Sequence, residues 1–178
     1  KVMTEEKKES WFNHMALATV ILAVCATLST FKGGGYSTQG VISQTLASDQ
    51  WAFFQAKSTK QNLYQIQLEQ LQLQTQLIPE DHPAKGDFEK KIADYQKRSA
   101  RYEAEKKDIE RKAREYESLR DDAKRHGKPF ALAVMFLQVA ILLNSIAGLM
   151  KKKHIWWASI PVGLSGMVLF ANGFLLLF

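Results

Sequence analysis

Four histidines, one cysteine, a glycine triplet and a few polar residues inside apolar blocks are the residues of this chain whose types could do chemistry. His14, His82, His126 and His154 are scattered, and no His or Cys pair has the spacing of a metal site. Cys25 stands alone in an apolar run, which gives neither a disulfide framework nor a metal site. The glycines of "FKGGGY" lack the Gly-Lys-Ser/Thr that completes a phosphate loop, and no dinucleotide glycine pattern occurs. Asp49 is a lone carboxylate, and nothing pairs a nucleophile with a base. The residues therefore predict no catalytic site, no cofactor and no metal, and the chain is not expected to be an enzyme.

What must be positioned instead is apolar. Three blocks, 11–31, 130–150 and 155–178, each hold about the 20 mostly apolar residues a helix needs to cross hydrocarbon, and none contains Asp, Glu, Lys or Arg. A polar flank, 1–10, precedes the first, and a basic loop, 151–154, joins the last two. The first block runs into Lys32 and three glycines rather than a small-residue cleavage site, so it reads as an uncleaved anchor. A start at Lys1 in place of Met leads us to expect further residues upstream.

The insert between the first two blocks, 32–128, holds 18 basic and 15 acidic residues, interleaved. No basic face free of acids emerges, which argues against nucleic acid as a partner. In its second half Phe88, Tyr95, Tyr102, Ile109, Tyr116 and Ala123 recur every seven residues, with Ile92, Ser99, Lys106, Ala113 and Arg120 at the other heptad position. Acid-before-base pairs four apart add helical support: Asp87 with Lys91, Asp94 with Arg98, Glu103 with Lys107, Asp108 with Lys112, Glu110 with Arg114 and Asp121 with Arg125. The seam is thin, enough to cover one neighbour.

That neighbour is expected in the first half. "LQLQTQL" alternates like a strand, but Leu63, Ile66, Leu73 and Leu77 share one heptad seam with Gln70, while Tyr64, Leu68, Leu71 and Ile78 share an adjacent one with Thr75. Good helix formers dominate, and no partner strand exists elsewhere in the chain. The pattern thus predicts an antiparallel coiled-coil hairpin, helices about 37–78 and 84–126 with a turn at 79–83 set by Pro79 and Pro83. A helix with two apolar seams needs two neighbours, so the second seam predicts a homo-oligomer. Gly33 to Gly35 read as a hinge or helix break between span and coil, and Pro129 as a first-turn proline of the second span.

Two further clusters have a structural and a functional reading. Trp51, Phe53 and Phe54 crowd near the membrane, suited to interfacial or inter-subunit packing, or else to a ligand or lipid pocket. Gln138, Asn144, Ser145 and Asn172 lie within spans, where polar groups either glue helices together or line a pore. Ser159, Gly163, Gly166 and Gly173 allow close helix approach in the last span.

The string "ASDQWAFFQAKSTKQNLY", following a first span and a short Gly-containing gap and leading into a charged helix and two spans that end "NGFLLLF", resembles the bacterial family known as domain of unknown function 4337. Asp49-Gln50-Trp51 and Gln55-Ala56-Lys57 are its most specific part. The resemblance implies a bacterial multi-pass membrane protein and brings no activity, cofactor or catalytic residue.

Orientation rests on the short loop, since Lys151, Lys152 and Lys153 should stay in the cytoplasm. That places the long insert outside the inner membrane, although Lys124, Arg125 and Lys128 beside the second span argue the other way. The expectation is an all-α protein whose partners are the lipid bilayer and its own copies, acting as a scaffold or envelope organiser. A channel or transporter-accessory oligomer is the alternative.

Overall fold

In the computed structural model, the backbone is described over residues 2–79 and 82–176, and side chains from Trp11 onward. The described residues form three helices and no strand: α1 (Val2–Leu77), α2 (Lys85–Met150) and α3 (Lys153–Leu175). They divide into two units, one built from the chain up to Val41 together with the chain from Arg120 onward, the other from Ile42–Leu119.

The first unit is a three-helix assembly with consecutive helices antiparallel. A Cβ built on Gly33 of α1 would lie 3.1 Å from the Phe130 Cβ of α2, and Gly148 of α2 approaches Met15 of α1, so residue numbers rise on one helix as they fall on the other. Gly166 and Gly173 of α3 lie against Leu137 and Phe130 of α2 in the same sense. Leu22 and Ala26 of α1 and Ala133, Leu137 and Ala140 of α2 form the core, with Val162, Met167 and Phe170 of α3 packed on it. Small residues on facing helices let the backbones come close, the way apolar helices associate when hydrocarbon surrounds them. Outward, Leu17, Val20, Val24, Leu28, Leu132, Met135, Val139, Leu142, Leu164 and Val168 are exposed. Such a collar is far larger than the apolar patch water tolerates. All three helices contain stretches long and apolar enough to cross a membrane.

Two expectations are corrected here. The helix does not break at Gly33 to Gly35; α1 runs through them. Glycine in a helix interior costs about 1 kcal/mol relative to alanine, and at Gly33 the return is the close approach of Phe130. Nothing in the structure explains Gly34 or Gly35. Pro129 is not in a first turn either, because α2 is continuous from Lys85 and carries Pro129 in its interior, beside the fully buried Phe130. Apolar block and polar segment therefore share one helix on each side.

The α2–α3 connection is tighter than the loop 151–154. Lys151 adopts the left-handed conformation (φ 52°), its N–H donates to the Gly148 carbonyl, and the Lys152 N–H donates to the Ala147 carbonyl. This is a Schellman ending with lysine where glycine is usual, and Lys153 and His154 already belong to α3. At the other connection α1 stops at Leu77 and α2 starts at Lys85, with Ala84 N–H donating to His82 Nδ1. Of the turn expected over 79–83, residues 80 and 81 lie outside the described residues, as do 177 and 178 of the last span.

The second unit pairs α1 and α2 side by side, antiparallel. Trp51 Nε1–H donates to Glu117 (3.0 Å), Lys57 pairs with Glu105, Gln61 donates to Glu103 (3.0 Å), and the Tyr64 ring meets Tyr95 and Tyr102.

Candidate functional site

The functional question is which faces of the helices are used and which remain open. Among the described residues no three His, Cys, Asp or Glu side chains converge as metal ligands would. Two sets of side chains are assembled with care: the face between α1 and α2 in the second unit, and a polar bridge inside the first.

The first set explains the thin seam. Phe88, Ile92, Tyr95, Ser99, Tyr102, Lys106, Ile109 and Tyr116 are half-buried, and Ala113 is fully buried. Opposite them, Tyr64, Leu68, Leu71, Thr75 and Ile78 are half-buried too. Where leucine is missing, cations on aromatic rings and charge-assisted hydrogen bonds fill the space. Lys106 lies over the Phe54 ring (5.2 Å) and donates to Gln61 (2.9 Å), while Lys57 lies over Tyr102 (5.2 Å). Trp51 packs edge-on to Phe54 at 5.5 Å, and Arg114 approaches its face. Of the aromatic triad only Phe53 turns outward.

Gln61, 7% exposed, is the member that sequence reading missed. Counting back in sevens from Leu68 lands on Gln61, Phe54 and Ala47, so the signal was there, hidden because glutamine does not read as a core residue. Of the six expected i,i+4 pairs, Asp94–Arg98, Asp108–Lys112 and Glu110–Arg114 form, at 2.8 to 2.9 Å. Asp87 pairs instead with Lys90, Glu103 with Lys106, and Asp121 with Arg120.

These contacts set a pH dependence. Glu105 is held below its ordinary value by hydrogen bonds from Lys57 and then Arg101, Glu103 by Gln61 and then Lys106, and Asp108 by Lys112 and then Arg111. A depressed carboxyl contributes stability that is present above its unfolded value and lost as pH falls through the folded one. The pairing is thus expected to be flat from about pH 8 to about pH 5 and to weaken only below about pH 4. Thermal melts followed by circular dichroism would check this, with a small loss because the carboxylates are solvent-screened.

The remaining seam residues are left exposed. Leu63, Ile66, Leu73 and Leu77 are 56%, 61%, 63% and 85% exposed, and Gln70 beside them is exposed as well. Upstream, Ile42, Leu46 and Phe53 are also exposed. The two adjacent seams therefore part company: one is covered by α2, the other by nothing among the described residues.

Inside the first unit, Asn144 of α2 joins all three helices. Its Nδ2–H donates to Thr19 of α1 (3.0 Å), and its Oδ1 shares the single Ser159 hydroxyl proton of α3 with the Trp156 carbonyl (2.7 Å from Ser159 Oγ). Asn172 is buried, whereas Gln138 is exposed and takes no part in the bridge, and Ser145 bonds back to Ile141 of its own helix. At the far end His126 stacks on Tyr36 (5.0 Å), and its Nδ1–H donates to the Gly173 carbonyl (3.0 Å).

Over the described residues these features define an all-helical protein with three helices long and apolar enough to cross a membrane and a further length of paired, polar helix. The chain belongs to the family described as domain of unknown function 4337, which matches it over residues 11–176. No curated protein and no solved structure matches it.

Proposed function

We propose that this protein is a multi-pass bacterial inner-membrane scaffold without catalytic activity. In this reading its charged segment is an antiparallel coiled-coil hairpin projecting from the membrane on the extracytoplasmic side. It self-associates through the outer seam of α1. The observation that carries the reading is the division of α1 into a covered seam and an exposed one, Leu63, Ile66, Leu73 and Leu77. An apolar stripe of this length beside a hydrated, charged helix is stable in water only when covered. A second copy offers the same stripe, and closed symmetry is the ordinary outcome for such an interface. Nucleic acid does not fit as the partner, because the exposed cations of α2 are interleaved with Asp94, Glu103, Asp108 and Glu110.

Replacing Leu63, Ile66, Leu73 and Leu77 together by Gln should convert an oligomer into a monomer by light scattering in mild detergent, with helix content unchanged. A wild-type monomer in the same experiment sinks the reading. The alternative, a channel or transporter-accessory oligomer, drew on Gln138, Asn144 and Asn172. The Asn144 carboxamide is taken up by α1 and α3, which supports helix gluing over pore lining. Ion flux into liposomes above that of empty controls would restore the alternative.

A further inference from the structure

The first unit holds an open groove of about 310 Å³ between α1 and α3. Ala18, Ile21 and Leu22 form one wall, Trp156, Ile160 and Leu164 the other, and Asn144 with Ser159 the floor. A polar floor would ordinarily ask for a polar ligand. Here the Asn144 carboxamide is occupied by Thr19 and Ser159, and the Ser159 hydroxyl by Asn144 and the Trp156 carbonyl. What remains for a ligand is hydrocarbon surface.

Length and charge say which ligand. On α3 the groove runs from Trp156 to Met167, about 17 Å at 1.5 Å per residue, and half of a hydrocarbon core of about 30 Å is one leaflet. At its upper end Trp156 packs with Trp11, as aromatic side chains do at the headgroup level. One turn above Trp156 lie Lys151, Lys152, Lys153 and His154, all exposed. The spans contribute no acid to offset them, and the flank before Trp11 carries Lys1, Lys7 and Lys8 against Glu5, Glu6 and Glu9. A one-leaflet apolar slot beneath a net-positive rim complements a molecule with an acyl chain and an anionic head. We propose that this groove binds an anionic diacyl phospholipid, one acyl chain lying between α1 and α3 and the phosphate facing the Lys151–Lys153 turn.

The inference rests on the membrane-spanning reading, and its test separates the two. Full-length protein is reconstituted in vesicles of phosphatidylcholine with a minor fraction of phosphatidylglycerol, extracted in mild detergent, and weighed by native mass spectrometry. One retained phosphatidylglycerol per chain is expected, enriched about tenfold over its share of the bilayer. Replacing Lys151, Lys152 and Lys153 by Gln should abolish the enrichment while lipid is still retained. Ala18→Phe should remove the retained lipid itself, and Ile160→Trp, filling the groove from the other wall, should do the same if Ala18→Phe does not fold. Phosphatidylglycerol retained only in its bilayer proportion overturns the site, as does full enrichment in the groove-filling variants. A protein washed off the vesicles at alkaline pH overturns the membrane reading and the site with it.

Discussion

Phe130→Ala is expected to be the most damaging single truncation in the molecule. The ring is fully buried, stacks near Tyr36, meets Phe170 and Phe174 edge-on, and lies against Gly33 and Gly173. Removing a buried Phe costs about 3–5 kcal/mol in water-soluble cores, from lost transfer energy plus the cavity left behind. On the membrane-spanning reading proposed above, hydrocarbon around the unfolded helices lowers the transfer part, since lipid is as apolar as the core. The cavity part persists, because Gly33 and Gly173 have no side chains that could collapse into the space. The loss should therefore fall toward the lower end of that range, read as a shift in unfolding midpoint in mixed detergent micelles. A loss below about 1 kcal/mol would mean that the three helices do not depend on this ring.

Gly166→Ala tests the same packing from the opposite direction. A Cβ there would lie 2.8 Å from Leu137 Cγ and 3.0 Å from the Leu137 backbone nitrogen. Leu137 is fully buried and cannot swing aside, and a backbone atom cannot yield without moving its helix. Overpacking of this kind costs about 1–3 kcal/mol, although alanine is the better helix former by about 1 kcal/mol. The packing term is the larger, so net destabilisation is expected. Gly34→Ala is the control, since no atom lies within 4 Å of its added Cβ. There the propensity term stands alone, and the midpoint should rise. If both variants behave alike, close approach is not what Gly166 provides.

The charged segment was legible because its surroundings are aqueous. Water separates apolar from charged positions, so Phe88, Tyr95, Tyr102, Ile109 and Tyr116 stand out against Lys, Arg and Glu, and their period of seven can be read. Continued past Ala123, the same count reaches Phe130, Leu137 and Asn144, all buried and all lining the helix packing of the first unit. That continuation was not readable. Within an apolar block of spanning length both the packed face and the exposed face are apolar, and hydropathy no longer distinguishes them. The glycines misled for a related reason: a glycine that breaks a helix and one that admits a neighbour look alike until the neighbour is placed.

The sequence by itself determined the class of element everywhere, three apolar blocks of spanning length and two paired polar stretches, because composition and period report directly on the surrounding solvent. It also determined that α1 carries two apolar seams. Only the tertiary structure decided which seam α2 covers, that Gly33 to Gly35 and Pro129 lie within unbroken helices, and that Asn144 bridges α1 and α3. Those outcomes depend on which side chain meets which across helices far apart in sequence, and a periodic pattern records that a face is buried without recording by what.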